Sequence, residues 1–449
     1  MKKTLFILLV NFLLYRSFAQ QHRPSTTSAL AVTHVNVIDV KDGTIHQDMT
    51  VLILDDSIAK INKSDSVKTT KGMQIINASG KYLLPGLWDM HVHLSWTSAS
   101  ALPTLVANGI TNVRDMGGKL AEIDEWRTKI ITGFLVGPEI VRAGPILNGK
   151  VFNQYQLEVK TPEEARAIVR TLKHVGVDMI KVHRRMPRDA YFAALDEAKK
   201  QGLPLVGHIP ITVTDEEASD SGQVTIEHAE TLFEGTFTAA LNGRKLPDAI
   251  KQFRTDSAEK LFAIFKKNGT AVTPTLNALV AATLFFDGSF NRNPLKKYVA
   301  VSYKKEYEKM KVSREDVKAL REVITEYKQV VGLLNRSGVL LLAGTDLAAV
   351  QIPGFSLHNE LALLVESGLS PLQAIQTATI NPAKVLNILD HAGTVDEGKK
   401  ANLILLDANP LIDIYNTQKI NSVILRGKLF DRKALDELLQ DGERQALKN

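Results

Sequence analysis

Residues 85–94 read Pro-Gly-Leu-Trp-Asp-Met-His-Val-His-Leu. In a strand successive side chains point to opposite faces, so His91 and His93 share one face while Val92 occupies the other. Pro85 and Gly86 introduce the strand, and Asp89 lies two residues before His91. Taken alone, a His-x-His pair is common in strands of many kinds. What it means depends on what the rest of the chain sets beside it.

Outward from this stretch, short apolar runs alternate with amphipathic helical segments. The strand candidates are 84–94, 109–116, 139–145, 177–183, 203–209, 224–228, 271–276 and 339–346. Helical stretches fall between them, among them 162–174 and 188–201. The first of these has Thr161 as N-cap, Pro162 in the first helical position and two acids behind it. Buried strands alternating with helices predict an α/β fold of the (β/α)8 TIM-barrel type, with a doubly wound open sheet as the alternative.

Two clusters of β-type runs flank this middle: 31–40, 49–54 and 57–61 before it, and 393–398, 401–406 and 420–425 after it. They predict a small β-sandwich assembled from both termini. The expected organisation is therefore residues 20–83 and 391–449 as the two parts of the sandwich, with 84–390 as the barrel. Residues 231–256 and 277–335 are too long for plain barrel connections. They read as helical inserts, either a solvated addition or a lid over the barrel mouth.

The first 19 residues have a composition of their own. Lys2 and Lys3 precede an apolar run to Tyr15, and Ser17 and Ala19 stand as small residues before Gln20. That is the pattern of a cleaved signal peptide, too short in its apolar part to span a bilayer. The expected location is periplasmic or secreted, with no membrane attachment after cleavage. Of the formal net charge of +6, Lys2, Lys3 and Arg16 belong to this segment, which holds no acid. No basic stripe with interleaved aromatics remains to bind nucleic acid. The chain has no Cys, which excludes disulfides, thiolate ligands and a Cys nucleophile. A metal site would have to use His, carboxylate or a modified side chain, a donor set that suits zinc first, with manganese or iron as alternatives.

Such donors recur where the barrel strands end. Lys181 closes 177–181, His208 follows Leu205-Val206-Gly207, His228 follows Thr225-Ile226-Glu227, and Asp346 follows Leu340–Thr345. For each alone, a hydrogen-bonded core or loop residue is the ordinary explanation. All of them at the same end of their strands, with His91 and His93, point to a site at the C-terminal mouth of a barrel. A lysine aimed into such a core is costly unless paired or modified.

PGLWDMHVHL, VDMIKVH, PLVGHIP, TIEHAE and AGTD, in this order, resemble the amidohydrolase superfamily in its binuclear, lysine-bridged branch, which includes imidazolonepropionase-like and Xaa-Pro dipeptidase-like members. SPLQAIQTATINPAKVLNI and GTVDEGKKANLILLD are similar to the end of that barrel and its return strands. The resemblance implies that His91, His93 and Asp346 bind the more buried of two divalent metal ions, and His208 and His228 the second. It implies that Lys181, carboxylated by carbon dioxide, bridges them, a single-metal site with an unmodified lysine being the alternative. A hydroxide shared by the metals would be the nucleophile, with Asp346 as general base and then general acid.

For substrate contacts the candidates are His183, which shares the inward phase of Lys181, Tyr155 in the loop after the third strand, and His358 in the helix after the last. Arg114-Asp115 reads as a buried structural pair. Around 148–154 the chain lacks the Gly-Gly-His of the Xaa-Pro dipeptidase-like members. The expected function is hydrolysis of an amide-type carbon–nitrogen bond in a small molecule: a dipeptide, an N-acyl amino acid or a cyclic amide. An esterase or lactonase on the same site, a non-catalytic metal-binding barrel and a tethered interaction protein are the other readings, and a homo-oligomer is compatible with all of them. If the signal peptide is cleaved as read, mass spectrometry of exported protein will find an N-terminus at Gln20. An intact Met1 would contradict it.

Overall fold

Every residue of Leu87–Val92 is buried. A strand can bury both faces only where other layers cover both, as in a parallel sheet wrapped by helices. The computed structural model, which describes residues 29–67, 72–229, 232, 246–302, 309 and 312–448, shows that arrangement. The proposed signal peptide lies outside the described residues.

In chain order the strands are β1 (Ala29–Ile38), β2 (Ile45–Leu54), β3 (Ser57–Lys63), β4 (Gln74–Asn77), β5 (Tyr82–Pro85), β6 (Leu87–Val92), β7 (Ile110–Asp115) and β8 (Glu139–Arg142). They continue as β9 (Ile146–Asn148), β10 (Gln156–Glu158), β11 (Ile180–Val182), β12 (Leu205–Gly207), β13 (Thr225–Glu227), β14 (Ala271–Thr273), β15 (Leu403–Leu406), β16 (Ile420–Leu425) and β17 (Lys428–Phe430).

The barrel forms from parallel ladders. β6, β7 and β8 pair in sequence, as do β11, β12, β13 and β14. The two sets meet where Val182 pairs with Leu147 of β9 and where Asp178 N donates to Arg142 O at 2.9 Å. The other seam closes through the eighth strand position, with Val272 opposite Leu341 and Val92 opposite Leu347. Closure excludes the open doubly wound sheet.

The eighth position, expected as a strand over 339–346, appears only as isolated bridges because its backbone donors are shared out. Leu342 N goes to Val272 O and Ala343 N to Thr377 O, both at 2.9 Å. Thr345 N goes to the Asp89 carboxylate at 3.0 Å.

Helices fill the connections. In Pro162–His174, Thr161 Oγ1 accepts from Glu164 N at 3.2 Å, the N-cap expected there. The described parts of the two long insertions contain the helices Leu246–Asp256, Leu276–Phe286 and Arg314–Arg336. The second begins directly after β14, at the barrel mouth. No helix among the described residues is long and apolar enough to cross a membrane.

Both termini contribute to one eight-stranded sheet ordered β17-β16-β15-β5-β1-β2-β3, with β4 paired to β1. Period-2 alternation gives it two apolar faces. Leu83, Leu403, Leu405 and Ile424 join Val32, Val51 and Ile58 in a core belonging to the sheet. Leu84, Ile404, Leu406 and Val423 face the barrel core instead. The join is tight at Gly427, whose φ of +73° is left-handed and whose position leaves no room for a Cβ against the Asp55 carbonyl. Gly427→Ala is therefore expected to destabilise the fold by about 3 kcal/mol through overlap and backbone strain. Urea denaturation will show a lowered midpoint with an unchanged slope, whereas a shift of less than about 0.5 kcal/mol would refute the account.

Candidate metal centre

Each imidazole at the end of β6 is fixed through its Nδ1. His91 Nδ1 lies 2.9 Å from Glu227 Oε2, and His93 Nδ1 lies 2.8 Å from the carbonyl of Gly117. Both partners accept, so each Nδ1 carries a proton, and in a neutral ring it is Nε2 that presents the lone pair. His91 Nε2 is buried without a hydrogen-bond partner. It lies 3.5 Å from Asp346 Oδ1, and His93 Nε2 lies 3.4 Å from the same oxygen. One donor atom from each of His91, His93 and Asp346 falls within 4.8 Å of the others.

Asp346 reaches this position through a left-handed backbone, φ +53°, which a short polar residue tolerates better than most. The turn is pinned from beneath. Asp89, two residues before His91 and buried, accepts from Thr345 N at 3.0 Å, Thr345 Oγ1 at 2.6 Å and His91 N at 3.2 Å. Burial pushes the Asp346 carboxyl upward, yet His228, His93 and His91 together hold it well below the usual range. Burial, with Lys181 nearby, lowers His91 well below an ordinary histidine. The cluster thus favours an ionised Asp346 beside a neutral His91, protonation states that suit a cation.

The remaining donors lie on the far side of the same mouth. The rings of His91 and His228 are 4.6 Å apart, those of His228 and His208 4.8 Å. His228 Nδ1 is 2.8 Å from Thr275 Oγ1. His208 Nδ1 is buried without a partner, and its ring stacks on His183 at 4.4 Å. Lys181 is 1 % exposed. Burial drives its ammonium down to about 8, against the pull of Glu227 and Asp346. Gly207, φ +125°, gives its side chain room: a Cβ there would come within 2.8 Å of Lys181 Cδ. His183 follows the inward phase expected of it, with Nδ1 buried and unpartnered. Burial and Lys181 lower it to about 3.

One expectation changes. His358 is not brought to the cluster: its nitrogens lie 3.0 Å from Thr417 Oγ1 and 3.1 Å from Asn108 O, so it ties the last barrel helix to the C-terminal segment. Arg114 and Asp115 are buried and structural, as expected, but serve different partners, because neighbours in a strand face opposite ways. Arg114 enters the barrel interior and binds Glu227 at 2.7 and 2.9 Å, Met90 O at 2.7 Å and Thr225 Oγ1 at 3.0 Å. Asp115 accepts from Leu94 N at 2.8 Å and Gly117 N at 3.2 Å, shaping the loop that carries the His93 acceptor. Tyr155 does stand near the mouth. Its hydroxyl donates to Ser95 O at 3.2 Å, and its ring stacks on Trp96 at 5.0 Å.

Glu227, Asp89, Thr275 and Trp96 were not anticipated as site residues. The sequence signal for the first two was adjacency, Glu227 beside His228 and Asp89 two residues before His91. The donor set fits a divalent cation: nitrogens with their opposite atom already bonded, buried nitrogens without partners, and a carboxylate held ionised.

The profile of the amidohydrolase family matches residues 82–430. The chain belongs to the amidohydrolase family. Among similar amidohydrolases, ochratoxinase of Aspergillus niger is 25 % identical over 401 residues, covering 78 % of this chain and 75 % of its own. A bottromycin amidohydrolase structure superposes with a TM-score of 0.75 at 21 % identity, covering 93 % of this chain and 90 % of its own. A Xaa-Pro dipeptidase structure with bound methionine gives 0.68 at 23 % identity, covering 90 % and 100 %. At these identities the two structures establish the barrel, and the chain's own residues must supply the chemistry. If His228 is a ligand, removing the hydroxyl that orients it, in Thr275→Ala, is expected to weaken the binding of an added divalent cation by roughly ten- to a hundredfold. Competition with a chromophoric chelator will measure it, and unchanged affinity would refute the orienting role.

Proposed function

We propose that this amidohydrolase is an exported, metal-dependent hydrolase of an amide-type carbon–nitrogen bond in a small molecule, an N-acyl amino acid or dipeptide in the first place. The observation that carries the reading is the convergence of one donor atom each from His91, His93 and Asp346 within 4.8 Å at the barrel mouth, both Nε2 atoms lying within 3.5 Å of Asp346 Oδ1. The presence of amide-cleaving enzymes among its relatives supports the choice of bond. Two divalent ions, zinc foremost, would be held by His91, His93 and Asp346 on one side and His208 and His228 on the other, with Lys181 between.

Bound there, the ions would supply a Lewis acid for the acyl carbonyl and make water more acidic. The protein's residues do the rest. Asp346, ionised and bordered by His91 and His93, accepts the proton of the attacking water and returns it to the leaving nitrogen. Glu227 and Gly117 keep the proton of each β6 imidazole on Nδ1, so that neither Nε2 competes for it. Lys181, with its affinity for protons reduced by burial, has a neutral amine fraction near neutral pH. That amine can add carbon dioxide to give a carbamate and a released proton, replacing a cation in the cluster with an anion.

The test joins metal analysis to a panel of N-acyl amino acids, dipeptides, cyclic amides and lactones. Chelation is expected to abolish hydrolysis, and zinc to restore it. Turnover of lactones with no amide turned over would overturn the choice of bond. Lys181→Ala is expected to lose about a hundredfold or more in kcat/KM and about one metal equivalent. Short carboxylic acids should restore part of the activity. Full activity in Lys181→Ala without such additives would remove the lysine from the reaction.

A further inference from the structure

Trp96 sits in the short helix Leu94–Thr97, which starts immediately after His93. Its indole is held in a stack of three rings, with His93 on one face at 4.5 Å and 21° and Tyr155 on the other at 5.0 Å and 26°. Both neighbours are themselves restrained, His93 by Gly117 O and Tyr155 by Ser95 O. Two stacked, restrained neighbours hold the plane of the indole. On its edge, Nε1 is buried with no hydrogen-bond partner.

An indole N–H only donates, and leaving it buried without an acceptor is unfavourable. The same condition, buried and unpartnered, holds for His91 Nε2, His208 Nδ1 and His183 Nδ1 around this mouth. The first two have an evident use as cation donors. Trp96 Nε1 cannot ligate a cation, because its nitrogen has no free lone pair, so its use must be toward an oxygen.

We propose that Trp96 is a substrate-binding residue whose Nε1–H donates to an oxygen of the substrate beside the scissile bond, its direction locked by the His93–Trp96–Tyr155 stack. The inference rests on the hydrolase reading above and names what that site recognises: a substrate carrying a carboxylate or carbonyl oxygen next to the cleaved amide. The stack also ties the substrate contact to the imidazole of His93.

Trp96→Phe keeps an aromatic ring for the stack and removes only the donor. With zinc content equal to wild type, kcat/KM for the best-cleaved N-acyl amino acid is expected to fall roughly tenfold or more. The C-terminal amide of the same compound distinguishes the two oxygens: a loss confined to the free acid assigns the carboxylate, an equal loss on both assigns the acyl carbonyl. Independently of turnover, the chain's three tryptophans give three indole ¹H–¹⁵N resonances, and the one missing in Trp96→Phe is that of Trp96. It is expected to shift when an N-acetyl-D-amino acid that is not turned over in the panel is added to the zinc-loaded protein. An unmoved resonance despite binding, or kinetic constants of Trp96→Phe within twofold of wild type, would overturn the proposal. A wild-type protein without hydrolytic activity on the whole panel would instead overturn the hydrolase reading, and the resonance would still decide whether Trp96 meets a ligand.

Discussion

The buried contact between Arg114 and Glu227 is the constraint on which the site rests. Both side chains are closed off from solvent, 0 % exposed, and each would be costly there alone. Breaking such a pair by removing one partner costs about 3–5 kcal/mol, largely because the other charge is stranded. Here the pair is also satisfied by its surroundings. Arg114 reaches Met90 O, Thr225 Oγ1 and Thr273 Oγ1, so one guanidinium spans the interior from β6 to β14. Glu227 remains well below the usual carboxylate range despite its burial, because Arg114 and His91 hold its charge. Its second oxygen then fixes the proton of His91 on Nδ1. The charge in the barrel interior and the lone pair at the mouth are two ends of one chain of contacts.

Much of this architecture was legible in the sequence, for definite reasons. The barrel strands could be read because each is a short apolar run between helical periods, and the small sheet because its two halves share the same period-2 pattern. The candidate cluster of His91, His93 and Asp346 could be read because chemistry at a barrel mouth collects at strand ends, where Lys181, His208 and His228 also stand. The residues that orient them could not. Glu227 lies next to His228 in sequence yet serves His91 on another strand, and only the closed barrel brings β6 and β13 across from each other. His358 failed for a related reason: position at the start of a helix does not say which face the ring takes, and here it faces residues 414–418. The eighth strand was expected whole because its sequence is apolar. Its hydrogen bonds are divided among Val272, Thr377 and the Asp89 carboxylate, a division that depends on partners far away in the chain.

The helical insertions show a further limit of pattern. Their length marks them as additions, but periodicity cannot tell a solvated addition from a cover. The helix Leu276–Phe286 begins where Thr275 contacts His228, and its first amides are bound by the buried Glu360 at 3.1 and 2.7 Å. Whatever moves this helix therefore acts close to the donors.

The sheet shared by both termini has a consequence for the order of assembly. Leu84 of β5 is paired with Ile404 of β15, with the whole barrel lying between them in the chain. β5 leads straight through Gly86 into β6, the strand that carries His91 and His93. Closing so large a loop is entropically late, since contacts of great sequence separation reward the chain only after most of it is in place. The strand that opens the barrel is thus anchored by a segment synthesised after the whole barrel. A chain cut short before Leu403 would leave β5 an open edge next to the strand of His91 and His93, prone to pair with another molecule rather than to finish the site.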